Sequence, residues 1–379
     1  MDSSRQLSAR ASVLDRHEEL VARFRARRGG SIGTGGKPAV ALRFDHHYDD
    51  FERKVLPALV AHQLPWAQIA NRVGISAAGD GFTWSRLQEL ALQYGGEVWN
   101  HGTNHRDAAT QAEIRDQVVG TLKQIRAHMP RLAVEGWAPP GVKAGAYMGA
   151  APFKTVEQYT DTYAGQLILE HHAAVAGYMG ERTWTLDGEM LFGAWHRNID
   201  RHTPAEAAAF LDEAVQQRAG ITIMVHPLLL DRDGYLSTED LARVLADIAA
   251  RRDAGEIEVL SYSGMWIADV GSSYRHDLAP WTDTAMVPAR QSYRVEVTSG
   301  GTDRYLGATK QLVLELAATE RGTVTVEISG KPTTTHALTG GLPETVRRAV
   351  TLGLDEHDIT ITITPDVDLT VEAFHLYAA

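Results

Sequence analysis

Three short clusters hold the side chains best suited to chemistry in this 379-residue chain. The first is Asp45-His46-His47-Tyr48-Asp49-Asp50, which follows the apolar run AVALRF. The second is His101-Gly102-Thr103-Asn104-His105, after GEVWN. The third is His226-Pro227, after ITIMV. Each cluster begins where a short, buried-strand-like run ends. The chain has 16 histidines, and a lone strand-end histidine is usually solvated or hydrogen-bonded, so only their conjunction carries weight. Two histidines four apart, with a glycine between them, can put both imidazoles on one side of a turn. Neutral imidazoles bind borderline divalent ions such as zinc, and three protein ligands with an open position make a hydrolytic site. Asp45 can then serve as general base, and His226 as the acid that protonates a leaving group. One divalent metal ion, zinc before others, is the expected cofactor.

The surrounding elements must bring these clusters together. Apolar runs at 39–44, 66–69, 97–100, 134–138, 163–169, 191–197, 221–225 and 257–261 read as strands. Helices lie between them with legible starts. Thr83 opens one. Thr110 with Glu113, Thr203-Pro204 with Glu206, and Ser237 with Asp240 each pair an N-cap with an acid three residues on. Strand–helix alternation over residues 38–271 predicts an α/β fold, a (β/α)7-8 barrel of parallel strands, with chemistry at the strands' carboxyl ends. Residues 1–28 read as a helix, either packed on the body or serving oligomerisation. Residues 29–37 (GGSIGTGG and Lys37) read as a flexible linker. They fail as a phosphate loop, because Lys37 precedes Pro38 and no strand comes before. After a second linker at 272–284, residues 285–379 alternate with period two, as in YRVEV, LVLEL and ITITI, and predict an antiparallel β-sandwich domain.

Composition narrows the function. With Lys+Arg 37 against Asp+Glu 48 the net charge is −11, a poor basis for nucleic-acid binding. The absence of cysteine excludes thiolate metal sites, disulfides and a cysteine nucleophile. No run of about 18 apolar residues exists, so no membrane insertion is expected. The polar start of the chain reads as having no secretory signal.

The series Phe44-Asp45-His46, His101-Gly-Thr-Asn-His105, Trp137-Ala138-Pro139-Pro140 and Met224-Val225-His226 resembles the motifs of the polysaccharide deacetylases (the NodB-homology, carbohydrate esterase family 4 group). The resemblance covers about residues 39–269. It implies a distorted NodB-type barrel and metal-dependent removal of N- or O-acetyl groups from sugars. Asp45 matches the family's base, His101 and His105 two metal ligands, and His226 the acid. The departures are specific. His46 stands where the family has a ligating Asp, so a three-histidine site is implied, with Asp49 or Asp50 as alternatives. Ala138 stands where an Arg orients the base, and Arg43 can bring charge from another direction. Gly141 replaces a Tyr. Asp187 and Asp200 are candidates to orient His226.

Pro139 and Pro140 of the third motif, with the strand-end aromatics Trp137 and Trp266, are candidate substrate contacts. The Leu228-Leu229-Leu230 run is either a wall for an acetyl group or packing. The expected partner is a bacterial surface polysaccharide or peptidoglycan. The FDH variant, with WNHG before the second motif, is similar to tail-associated proteins of phages infecting actinobacteria. That likeness implies a virion-tail location with other tail proteins or a homo-oligomer as partners if the chain is phage-encoded, and a cytoplasmic location otherwise. The rival expectations are a catalytically degenerate glycan-binding tail protein and a structural tail subunit.

Overall fold

The computed structural model describes residues 3–73, 75, 81–108, 110–140, 156–176, 182–189, 192–278, 284–299 and 306–379. Gly141 and Leu191 lie outside them. Seven parallel strands follow one curled path: Ala174–Val175, Gly136–Trp137, Gly96–Asn100, Trp66–Ala70, Ala39–Asp45, Gly220–Val225 and Arg197–Asn198. Glu258–Leu260 pairs with the first half of Ala39–Asp45 and leaves the second half to Trp66–Ala70. Phe192 bridges Val175 in parallel, and Arg197 pairs with Ile223. One segment thus joins both edges of the curl and nearly closes the barrel.

The alternation along Ala39–Asp45 decides what the barrel encloses. Val40, Leu42 and Phe44 face the helices, in a core with Leu87, Leu90 and Ile248. Ala39 and Ala41 face the lumen, where small residues leave room for Trp99, Trp184, Tyr262 and Trp266. Arg43 and Asp45 share that inward phase. The helix starts at Thr83, Thr110, Thr203 and Ser237 all form, each side chain accepting a backbone N–H three residues on.

Two expectations fail. Residues 163–169 form the helix Tyr163–His171 rather than a strand. Thr162 caps it by accepting the Gly165 N–H at 3.0 Å, and the apolar run fits a fully covered helix as well as a strand. The strand sits later, at Ala174–Val175. Residues 29–37 are not a free linker. Ile32–Gly33 pairs in parallel with Ala268–Asp269, and the N–H groups of Gly33, Thr34, Gly35 and Gly36 all donate to carbonyls of residues 269–274. The first helix, Ser3–Ala26, packs on the body: Val13, His17 and Phe24 are buried, and the His17 Nδ1 lies 3.1 Å from the Leu169 carbonyl.

The C-terminal residues form two four-stranded antiparallel sheets. One has the order Ala285–Val287, Leu369–Ala378, Thr309–Ala318, Pro343–Thr351. The other runs Tyr293–Thr298, Asp358–Pro365, Gly322–Ile328, Thr334–Leu338. Leu314, Val326, Ile361 and Phe374 fill the space between them. This sandwich joins the barrel at the strands' amino ends. Thr351 Oγ1 donates to the Gly96 carbonyl, Lys310 Nζ to the Arg27 carbonyl, and Arg131 pairs with Asp355. Arg28 is the hub of the junction. It is 3% exposed and holds Glu135 at 3.0 Å, with Glu97 at 3.8 Å. No helix among the described residues is long and apolar enough to cross a membrane.

Removing the Arg28 guanidinium would take the cation from the buried Glu97 and leave the half-buried Glu135 to Arg27 alone. Arg28→Met is therefore expected to destabilise the chain by about 3 kcal/mol or more, read as a lower midpoint in urea. An unchanged midpoint would show that the junction does not depend on this pair.

Candidate metal centre and its acid–base partners

The inward phase of the first strand sets Arg43 and Asp45 side by side. Arg43 Nε and Nη2 each donate to one Asp45 oxygen at 2.7 Å, a bidentate pair in which both residues are buried. Arg43 Nη1 also reaches the Tyr262 hydroxyl at 3.4 Å. Burial by itself would raise the Asp45 pKa, but the charge and hydrogen bonds of Arg43 outweigh it and hold the carboxyl far below the usual range. Asp45 is ionised at any working pH.

Beyond Asp45 the chain turns sharply. His46 and His47 both adopt left-handed backbone angles, φ 59° and 51°, a conformation that costs non-glycine residues about 1–3 kcal/mol each. The turn is held by His46 N–H to the Ile69 carbonyl and by Gln68 Nε2 to the His46 carbonyl. The His46 ring thereby comes within 4.7 Å of the His101 ring and 4.4 Å of the His105 ring, centre to centre.

The second cluster is shaped by Gly102. Its φ is +75°, and a Cβ there would meet Gln117 Oε1 at 2.8 Å. That oxygen instead accepts the Thr103 N–H at 2.6 Å, while Asn100 Oδ1 accepts the Gly102 N–H. The resulting turn faces His105 back onto His101. His101 Nδ1 lies 2.6 Å from the Ala138 carbonyl and so carries its proton, which leaves the Nε2 lone pair free to coordinate.

Three ring nitrogens now meet. His105 Nε2 lies 3.0 Å from His101 Nε2 and 2.5 Å from His46 Nε2, and the donor atoms of all three lie within 4.8 Å of one another. Burial, opposed by Asp45, pushes His46 down to about 3. Burial, helped by His46, also puts His101 well below its ordinary value. Neutral imidazoles with converging lone pairs fit a borderline divalent ion and repel one another without a shared cation or proton. Asp49 and Asp50 are not in the cluster. Asp50 instead pairs with Arg53 and Lys54.

His226 stands across from this group, its ring 6.4 Å from that of His46. Asp200 accepts twice from it, at 2.8 Å from the backbone N–H and 2.7 Å from Nδ1. Burial works to lower the His226 pKa, but the Asp200 hydrogen bond and the Asp45 and Asp200 charges overcome it, and the net shift is upward. His46, His47, His105 and His226 line one open cleft of about 590 Å³, with Val73 exposed near its rim.

Residues 32–152 match the family model for polysaccharide deacetylase. That segment is similar to polysaccharide deacetylase domains. A comparison with curated proteins finds no match. Among solved structures, a family 4 acetyl xylan esterase from Clostridium thermocellum is similar at 16% identity over 60% of this chain and 90% of that one, with a TM-score of 0.39. A family 4 carbohydrate esterase from Bacillus anthracis is similar at 16% identity over 65% and 91%, with a TM-score of 0.36. A family 4 pseudoenzyme from Bacillus anthracis is similar at 14% identity over 61% and 66%, with a TM-score of 0.36.

The segment departs from the motifs it resembles in a compensated way. Ala138 has no side chain to reach Asp45, but Arg43, two residues before Asp45 on the same strand face, holds its carboxylate. Ala138 contributes its carbonyl to His101 instead. Of the two acids considered for His226, Asp200 takes the role. Asp187 turns away, accepting the Glu189 N–H.

The substrate contacts need correcting. Trp137 is fully buried against His172, and Trp266 is 2% exposed among Trp99, Trp184 and Tyr262. Pro139 and Pro140 are buried too. These groups fill the interior and present no face to the cleft. Leu230 is likewise buried packing.

Sequence reasoning missed His196. Burial lowers it to about 3 beside Arg43, Asp45 and His226. Nothing in its spacing marked it.

A pH dependence follows. Unfolded histidine titrates near 6.5, whereas His46 in the fold titrates at about 3. Between these values the unfolded chain binds more protons, so acid favours unfolding. Metal-free protein should therefore lose thermal stability as pH falls from 7 to 5, and His46→Gln should flatten that slope. An equal slope in the variant would contradict the assignment.

Proposed function

We propose that the chain removes N- or O-acetyl groups from a bacterial cell-surface polysaccharide or peptidoglycan, using one divalent ion held by His46, His101 and His105. The observation that carries this reading is the convergence of three imidazole nitrogens, two of them on buried rings held neutral, beside an ionised, buried carboxylate. An ion there would supply Lewis-acid activation of water and of the acetyl carbonyl, and zinc suits the all-nitrogen donor set. Asp45 takes a proton from the attacking water. Each of its oxygens spends one lone pair on Arg43 and keeps another, so Arg43 fixes the carboxylate's direction. His226 gives a proton from Nε2 to the departing nitrogen or oxygen, while Asp200 holds Nδ1–H and keeps the ring cationic to higher pH.

The assay is acetate release from acetylated chitooligosaccharides, acetyl xylan and peptidoglycan. Chelator treatment or His101→Ala should abolish release. Asp45→Asn should lower the rate by about 10²–10⁴-fold. Asp200→Asn should shift the alkaline limb of the pH–rate profile to lower pH, because the raised His226 pKa depends on that carboxylate. Undiminished release after chelation and in His101→Ala would end the proposal.

One feature favours a second reading, a glycan-binding protein without turnover. Arg43 engages both Asp45 oxygens and suppresses their basicity, which weakens a general base. Saturable glycan binding with no acetate released under zinc, cobalt or manganese would select that reading. The glycan itself would then serve host-surface attachment, as in a phage tail.

A further inference from the structure

The chain is acidic overall, yet one cleft is strongly cationic. It has a volume of about 360 Å³ and is lined by Arg23, Arg27, Arg126 and His171, with Leu132 and Leu354 among its apolar walls. Glu135 and Ala173, which precede the strands Gly136–Trp137 and Ala174–Val175, also line it. The cleft therefore opens at the strands' amino ends, away from His101 and His226. The first helix, the barrel and the sandwich all contribute to it.

Its charges are not balanced internally. Glu135 already accepts from Arg27 at 3.1 Å and from Arg28 at 3.0 Å. Arg126 donates to the Val134 carbonyl at 2.8 Å. Among the described residues neither Arg23 nor Arg126 forms a salt bridge with a carboxylate. Desolvation lowers the Arg126 pKa against the pull of Glu135, and the nearby charges of Arg27 and Arg23 add to it, although the side chain is surface-exposed. Holding such groups together without an anion costs Coulomb energy, and guanidinium forks match carboxylate and phosphate oxygens.

We propose that this cleft binds an oxyanion, carboxylate or phosphate, carried by a ring-sized ligand such as an acidic sugar. The arginines hold the anion, and the Leu132 and Leu354 walls receive the ring face. The volume suits about one such ring. Binding here is independent of the hydrolytic site, so it can be tested whether or not the chain deacetylates anything.

Calorimetric titration of the full chain at low salt with glucuronate, inorganic phosphate and glucose tests it. The unaltered chain should bind at least one anion saturably and glucose not at all. Tighter glucuronate binding assigns a carboxylated ligand, and tighter phosphate binding a phosphorylated one. The double variant Arg23→Gln/Arg126→Gln should weaken binding by about tenfold or more, with an unchanged thermal midpoint. Arg243→Gln, on the exposed face of the helix Thr238–Asp253, should bind as before. Should the double variant unfold, Arg23→Gln alone, at an exposed position, should weaken binding by about threefold. No saturable anion binding by the unaltered chain, or equal affinity in the folded variants, would overturn the proposal.

Discussion

A carboxylate can stay ionised inside a barrel only if a cation is buried with it, and the pairing of Arg43 with Asp45 meets that demand. The two residues share a strand face because Ala39–Asp45 alternates strictly. Val40, Leu42 and Phe44 anchor the strand to the helices, and this fixes the phase of the other face. A one-residue slip would turn both charges into the apolar layer. The Asp45 charge orders its surroundings: it opposes the loss of charge at His46 and helps raise the His226 pKa, with Arg43 working against it there. The histidine cluster and His226 thus both answer to one ion pair.

The histidine cluster depends on backbone as much as on side chains. His46 reaches His105 because two consecutive residues accept left-handed angles at the end of the strand. His105 turns back because Gly102 does the same with no steric cost. Strain at His46 and His47 is offset by the hydrogen bonds from Gln68 and to Ile69, which belong to the neighbouring strand. The donor set is therefore built by the barrel and not by the loops alone, which favours a preformed site.

Much of this was legible in the residue order. Strand ends could be read from the apolar runs, so the meeting of residues 45–46, 101–105 and 226 followed from parallel topology. N-cap residues located the helices, because their chemistry is local. What was not legible depended on tertiary choice. The run at 163–169 suits a covered helix or a buried strand equally, and only packing on the first helix decides. The glycines of 29–37 suggest freedom, yet the N–H groups of Gly33, Gly35 and Gly36 find partners more than 230 residues away. The places of Trp137 and Trp266 near strand ends suit sugar platforms as well as core packing. The direction of each indole depends on strand phase in a barrel whose small residues, such as Ala39 and Ala41, create the space that Trp266 fills. His196 could not be found, since its charged neighbours Arg43, Asp45 and His226 come from two other strands.

X-ray absorption at the zinc edge on the zinc-loaded chain addresses the central claim most directly. Three imidazole nitrogens at about 2.0–2.1 Å are expected, falling to two in His46→Ala. A shell of oxygen alone, an unchanged nitrogen count in His46→Ala, or no zinc retained after dialysis would contradict the account.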